Sequence, residues 1–405
     1  MKKKIFVKGP FLSQSGYGEQ ARFALRALRS REDLFDIYLI PIAWGKTGWI
    51  WEDNEARQWM DSRILETQML IQQKQLQPDI SLQITIPNEF EKMCPINIGY
   101  TAGIEATKCS PVWLQKGNDM DKILVVSNHA KNTYKGTIAQ AKNEQTGETV
   151  PYSLMTDIDV VWENTERAEP EDITSLSLDY ENNFLVVSQL GPRKNMENTI
   201  CWFVEEFFDQ EVGLVVKTNF KGNSITDFNE VTKHFSKILK KYKDRKCKVY
   251  LLHGDLSNGQ MTGLYNNPKI KALINISHGE GFGLPLFEAA REGLPVVTLG
   301  WSGQLDFLHH EGKDYFQSVD YTVQPVQAQA VWPGVLEKDA MWAFAEQGSY
   351  KMVLRKTLKQ YKKVKETAEE LKHIINDKFS NEKLYSLFID SLGILTEEET
   401  EIVVL

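Results

Sequence analysis

The residues best suited to chemistry stand in one glycine-rich turn, Ser277-His278-Gly279-Glu280-Gly281-Phe282-Gly283-Leu284-Pro285-Leu286-Phe287-Glu288-Ala289-Ala290. It follows a β-type apolar run at 272–276 and leads into an amphipathic stretch that predicts a helix. Three glycines let the backbone approach a ligand closely. A helix opening after Gly283 presents unpaired N–H groups and the positive end of its dipole, a setting that suits a diphosphate. Glu280 and Glu288 bracket the turn, and carboxylates accept hydrogen bonds from sugar hydroxyls. Many nucleotide-binding α/β domains own such a turn, so it does not define a reaction by itself.

A second segment supplies cations. Ser188-Gln189-Leu190-Gly191-Pro192-Arg193-Lys194-Asn195 follows an apolar run at 184–188. Arg193 and Lys194 there would balance the charge that gathers on a departing phosphate; the competing reading is a solvated basic turn. Lys217 closes another apolar run, 212–217, and is either a phosphate contact or a strand-end surface lysine. Near the start, Gly9-Pro10-Phe11-Leu12-Ser13-Gln14-Ser15-Gly16-Tyr17-Gly18-Glu19 joins a strand to a helix.

The seven residues between Glu280 and Glu288 make the turn similar to the E-x7-E signature of family 4 glycosyltransferases, and Gly293-Leu294-Pro295-Val296-Val297 matches the same family. Residues 188–195 resemble its G-R-L-x-x-x-K-N phosphate loop, with Gln189 where the family carries Arg, so that Arg193 becomes the substitute. The resemblance implies that Glu280 contacts the donor sugar and Glu288 the ribose. It places the backbone of Gly281, Phe282, Gly283 and Leu284 on sugar and phosphate, and Lys194 on the diphosphate leaving group. Gly16, Tyr17 and Gly18 would meet the diphosphate from across a cleft. Ile98-Gly99-Tyr100-Thr101-Ala102-Gly103-Ile104-Glu105 and Val125-Val126-Ser127-Asn128-His129 resemble a subgroup in which Glu105 and His129 line the acceptor side. The base-recognition loop falls on His253-Gly254-Asp255-Leu256. The resemblance is continuous over 184–299 and patchier elsewhere.

The elements needed to position these groups are legible as alternation. Apolar runs at 5–8, 35–42, 80–84, 96–100 and 122–127 alternate with helical stretches at 19–30 and 56–77, and a second series of runs at 184–188, 212–217, 247–253, 272–276 and 295–299 follows. Strand–helix alternation predicts parallel sheets with helices on both faces. With the resemblance, this gives an α/β chain of GT-B type: two Rossmann-like domains, an inter-domain cleft and a C-terminal helix crossing back. The expected divisions are an acceptor domain at 1–170, a nucleotide-sugar donor domain at 171–348 and a helical region at 349–405 that packs on the first domain.

Composition narrows the alternatives. A net charge of −8 argues against wholesale polyanion binding, although Arg22, Arg26 and Arg29 share one helix face, either as a solvated surface or as a local patch. No apolar run of about 18 residues exists, so no membrane span is expected. Cys94, Cys109, Cys201 and Cys247 form no C-x-x-C pair and read as reduced thiols of a cytoplasmic protein, in the host cytoplasm if the chain is of phage origin. Asp119-Met120-Asp121 and Asp157-Ile158-Asp159 match a metal-binding D-x-D by letters but do not follow apolar strands, so no metal site and no obligatory cofactor are expected; the nucleotide-sugar is a substrate. The mechanism implied is retention, with the leaving diphosphate oxygen taking the acceptor proton. Replacing Glu280 or Lys194 is then expected to lower turnover with little change in melting temperature. The opening residues and Trp44-Gly45-Lys46-Thr47-Gly48-Trp49 look like glycosyltransferases of tailed phages and their metagenomic relatives. Trp44, Trp49 and Trp51 beside Lys46 would stack on bases if the acceptor is 5-hydroxymethylcytosine in DNA, or pack the cleft if it is a saccharide. A sugar-nucleotide epimerase of the same fold and a non-catalytic saccharide- or nucleic-acid-binding protein stand as alternatives. Oligomeric state is not written in the sequence.

Overall fold

The computed structural model describes residues 2–142 and 147–393; the end of the segment expected at 349–405 therefore lies outside the described residues. Strands β1 (Lys3–Gly9), β2 (Phe35–Pro41), β3 (Ile80–Ile84), β4 (Ile96–Thr101) and β5 (Lys122–Val125) are followed by a hairpin, β6 (Ala139–Lys142) and β7 (Thr149–Tyr152), and by β8 (Ile158–Val160). Omitting the hairpin, they form a parallel sheet in the order β2-β1-β3-β4-β5-β8. All five residues of β3 are buried, as a strand covered by helices on both faces requires. Those helices are α1 (Gly16–Arg29), α2 (Glu55–Gln72), α3 (Pro111–Asn118) and α4 (Asn128–Gly136).

The second sheet repeats the plan. Its strands are β9 (Asn182–Val187), β10 (Val212–Lys217), β11 (Lys248–Leu252), β12 (Ile270–Asn275) and β13 (Val296–Leu299), then, after the short pair β14 (His309–His310) and β15 (Lys313–Asp314), β16 (Gln317–Val319). They run parallel in the order β11-β10-β9-β12-β13-β16. Helices α5 (Met196–Glu206), α6 (Ile225–Leu239), α7 (Asn258–Tyr265), α8 (Leu284–Arg291) and α9 (Leu305–Leu308) connect them. The order reverses between β9 and β12, and ligands of such sheets bind beyond the strand ends at that reversal. The loops leaving these two strands are the Arg193-Lys194 segment and the Glu280 turn.

An antiparallel pair, β17 (Tyr321–Pro325) and β18 (Met341–Ala345), precedes the C-terminal helices α10 (Gln347–Lys359), α11 (Tyr361–Lys378) and α12 (Asn381–Ser391). Within the helical region expected at 349–405, α10 and α11 are separate helices with a break at Gln360, whose φ/ψ of −112° and 27° departs from helical values. α12 lies on the first domain, against α1, with Phe388 edge-on to Phe23 at 6.0 Å, and the end of α11 reaches Trp162, with Lys378 over its ring at 5.1 Å. α10 packs on α5 and β16, and α11 on α8, all in the second domain.

Between the sheets, residues 161–165 are pinned from both sides. Arg26 donates to the Asn164 carbonyl at 2.7 Å, and Arg291 donates to Asn164 Oδ1 and the Thr165 carbonyl, each at 2.8 Å. The loop between β17 and β18 crosses in the other direction. Asn88 Nδ2 donates to the Gly334 carbonyl at 2.8 Å, Ser110 Oγ to Glu337 at 2.7 Å, and the Thr107 N–H to the Met341 carbonyl at 2.8 Å.

Candidate active site in the inter-domain cleft

A cavity of about 690 Å³ opens between the two sheets. On its first-domain side, α1 starts at Gly16 rather than at Glu19, because Ser15 Oγ caps it by accepting from the Gly18 N–H at 3.0 Å. Gly16 and Tyr17 line the cavity; Gly18 does not, and a Cβ there would lie 2.0 Å from the Ser13 carbonyl oxygen. Tyr17 is fixed by a 2.8 Å hydrogen bond between its hydroxyl and Thr101 Oγ1, and its ring lies 4.1 Å from that of Trp44.

On the second-domain side, Glu280 is 5% exposed and fully engaged. Lys194 Nζ donates to both of its oxygens at 2.7 and 2.8 Å, Arg193 donates to Oε2 at 3.0 Å, and Asn275 Nδ2 and Ser277 Oγ donate to Oε1, each at 2.9 Å. Burial pushes this carboxyl up, but the charges of Lys194 and Arg193 outweigh it and hold Glu280 far below the usual carboxylate range. Arg193 also reaches across the cleft to Glu105, at 3.1 Å. Gln189, at the position where the resemblance expects Arg, donates to the Phe220 carbonyl at 2.7 Å. Gly283 caps α8 at φ +96°, a left-handed conformation that favours glycine, and the helix start beyond it borders the cavity.

The other two glycines of the turn do something different from what their sequence suggests. A Cβ on Gly279 would lie 2.7 Å from the Glu105 carbonyl oxygen, and one on Gly281 2.7 Å from that of Ala102. They let the two domains touch, and protein backbone fills that space.

The structure gathers Gly16, Tyr17, Glu105, Arg193, Lys194 and Glu280 at the cavity, together with Gly281, Phe282, Gly283 and Leu284. The remaining candidates fall elsewhere. Glu288 accepts from the Tyr265 hydroxyl at 2.8 Å and does not line the cavity. His129 lies behind the loop that carries Glu105, against the backbone of Ile104 and Ala106 and edge-on to Trp301 at 5.4 Å; burial holds it neutral, down to about 4. His253 Nε2 is 2.8 Å from Asp227 Oδ2, with Phe228 edge-on, so it braces α6. Lys217 sits at the end of β10 outside the cavity lining, its pKa lowered by burial.

The basic face of α1 is turned inward. Arg22 donates to the carbonyls of Phe11 and Ser13 at 2.9 Å each and pairs with Glu19, Arg26 holds Asn164, and Arg29 lies over the Trp59 ring at 4.6 Å. Trp49 and Trp51 are 53% and 66% exposed. Of the two D-x-D pairs, Asp121 accepts from the Asn97 N–H at 2.8 Å and Asp159 pairs with Lys122 at 2.8 Å. Among the described residues no group of three or more His, Cys, Asp or Glu could hold a metal. All four cysteines are free thiols, and no described helix is long and apolar enough to cross a membrane.

Sequence reasoning missed three features of the cavity. Gln20 and Glu163 line it, and so does the 326–340 loop, through residues such as Trp332 and Val335. No local signal marks these: they reach the cavity through α1 packing, the crossing at 161–165 and a loop arriving from the opposite domain.

The fold is that of the GT-B glycosyltransferases. Sucrose-phosphate synthase from Thermosynechococcus elongatus superimposes with a TM-score of 0.63 at 11% identity, over 96% of this chain and 98% of that one. HepE of Anabaena in complex with UDP and glucose does so with a TM-score of 0.60 at 14% identity, over 98% of this chain and all of that one. In sequence, the chain is similar to the serotype-specific mannosyltransferase WbdA of Escherichia coli, 28% identical over 195 residues. That stretch is 46% of this chain but 22% of the relative's length. No family model matches the chain.

Proposed function

We propose that the chain is a retaining family 4 glycosyltransferase that moves a sugar from a nucleoside-diphosphate sugar to an acceptor hydroxyl without an obligatory metal. The observation that carries this is the joining of Lys194, Arg193 and Glu280 at the sheet's reversal point, beside the start of α8. Two cations and a helix N-terminus stabilise the charge developing on a leaving diphosphate, while Glu280 accepts from a sugar hydroxyl. Tyr17, Gly16 and Glu105 close the cleft from the other domain, which excludes water and orients the acceptor. The leaving phosphate oxygen accepts the acceptor's proton, so no enzymic nucleophile is required. HepE holds UDP and glucose, and the E. coli relative is a mannosyltransferase; both agree with a nucleotide-sugar donor carrying a hexose, with a pentose as the variant.

A saccharide acceptor is the first reading, supported by the WbdA similarity and by the inward turn of Arg22 and Arg26. 5-Hydroxymethylcytosine in phage DNA is the second, supported by exposed Trp49 and Trp51 near Lys46. The enzyme then works in the cytoplasm, the host's if the chain is of phage origin. The test is incubation with pooled nucleotide-sugars and each acceptor, followed by mass spectrometry of products and released nucleotides. A glycosylated product with α-type retention supports the proposal. Sugar interconversion without acceptor indicates the epimerase, and binding without nucleotide release a non-catalytic protein.

A further inference from the structure

We propose that Gln20 and Glu163 form a hydroxyl-reading subsite of the cleft that binds a vicinal diol of the nucleotide-sugar, on its ribose or on the transferred sugar. This rests on the reading of the cleft as a donor site and adds two residues that no motif contains.

Gln20 lies on the inner face of α1, one turn beyond Gly16, and is 1% exposed. Neither its Nε2 nor its Oε1 has a hydrogen-bond partner. Glu163 belongs to the pinned crossing after β8; it is 4% exposed and its Oε2 has no partner. Both side chains line the cavity, along with Gly16, Tyr17 and the first turn of α8. A buried polar group left without a partner costs roughly 1–3 kcal/mol, and native folds keep few of them. Two lining one cavity, carried by different elements, mark a place where a ligand supplies the partners.

The chemistry of the pair selects the ligand. Burial, with Glu19 adding to it and Arg26 pulling against it, pushes the Glu163 carboxyl up to about 8, so at pH 7 it offers both a proton and a lone pair. The amide offers two donors and one acceptor. Adjacent ring hydroxyls, each donor and acceptor, are the complement of this set. An anion is served elsewhere: Arg193 and Lys194 stand at the phosphate end, while Arg22 and Arg26, the cations nearest Gln20 along α1, are held by backbone carbonyls. Glu288, the acid that the family resemblance assigns to ribose, is held by Tyr265 and does not line the cavity.

The experiment is calorimetric titration of the full chain with three probes: the tightest-binding of UDP, GDP, ADP and CDP, the 2′,3′-dideoxy form of that diphosphate, and the corresponding nucleotide-sugar. Gln20→Leu and Glu163→Leu are compared with wild type, and Glu163→Gln, which keeps a neutral hydrogen-bonding group, is expected to stay within about threefold. If the ribose diol is read, both leucine variants lose about fivefold to tenfold for the diphosphate and nothing for its dideoxy form. If the transferred sugar is read, they bind the diphosphate as wild type and the nucleotide-sugar that much more weakly. Either pattern supports the subsite. Equal losses on all three probes, or none on any, overturn it while leaving the donor site standing. Wild-type protein that binds no diphosphate overturns the donor-site reading and the subsite with it. Should Glu163→Leu not fold, Gln20→Leu on a separate element delivers the same ratios.

Discussion

Lys194 Nζ sits 2.7 and 2.8 Å from the two carboxylate oxygens of Glu280, so the cation suited to a diphosphate and the acid suited to a sugar hold each other. On the proposed function, a donor entering the cleft parts them, the phosphate drawing Lys194 and a hydroxyl taking its place on Glu280. Glu280→Gln and Lys194→Ala are each expected to lower kcat/KM by at least about 100-fold. Because the pair is largely buried, removing one partner also destabilises the fold by roughly 3 kcal/mol, against the small effect on melting temperature that the sequence suggests. Rates of nucleotide release within threefold of wild type in both variants would refute the assignment.

Acid should expose the same pair. The Glu280 carboxyl is depressed in the fold, so its stabilisation is complete above the unfolded value of about 4.5 and is lost as pH falls below it. Wild-type melting temperature is expected to drop more steeply between pH 5 and pH 3 than that of Glu280→Gln. Parallel curves would show that the charge on Glu280 does not support the fold.

Glu163 gives the opposite sign. Its folded-state value of about 8 lies above the unfolded 4.5, so the fold holds the extra proton and stability declines as pH rises through that window. Each unit of the difference corresponds to about 1.4 kcal/mol at most. Glu163→Gln removes the titration. The melting temperature of wild type relative to this variant should fall from pH 5 to pH 8.5; a constant difference would mean that Glu163 is already ionised at pH 5.

Arg193 spans the cleft, from Glu280 at 3.0 Å to Glu105 at 3.1 Å. Glu105 therefore competes with an incoming phosphate for the guanidinium. Glu105→Gln is expected to tighten nucleoside-diphosphate binding by about threefold to tenfold, the scale of one partly exposed ion pair, and to lower kcat. Weaker diphosphate binding in calorimetry would show instead that Glu105 orients Arg193 for the phosphate.

The acceptor can be decided by two exposed tryptophans, one of which lines the cavity. Trp332, which lines the cavity from the 326–340 loop, is 61% exposed, and Trp51 is 66% exposed on the loop before α2. With a saccharide acceptor, Trp332→Ala raises the acceptor KM and Trp51→Ala leaves it unchanged. With DNA, Trp51→Ala weakens binding by the 1–3 kcal/mol of a lost base stack. Steady-state KM for each acceptor separates the two.

How much of this was legible follows the range of the interactions. The Arg193-Lys194 loop and the Glu280 turn could be read because a strand end, a glycine with φ +96° and a helix start lie within a few residues of one another. Glu288 looked equivalent to Glu280 by spacing, yet Tyr265, 23 residues upstream, holds it. Arg22, Arg26 and Arg29 do share a helix face, as their spacing requires, but the carbonyls of Phe11, Ser13 and Asn164 hold Arg22 and Arg26 against the protein. His253 found Asp227, and Gly279 and Gly281 found the opposite domain.

By itself the sequence determined the alternation of apolar runs and helical stretches, hence two parallel sheets, and the local phosphate motifs, hence which strand ends carry chemistry. These depend on side-chain periodicity and on backbone conformations set within about ten residues. Only the tertiary structure decided which carboxylates face the cleft, and that Gln20, Glu163 and the 326–340 loop line it. Those outcomes depend on contacts between residues from 23 to 246 positions apart, where sequence spacing carries no geometric information and packing alone sets which side of an element meets the cavity.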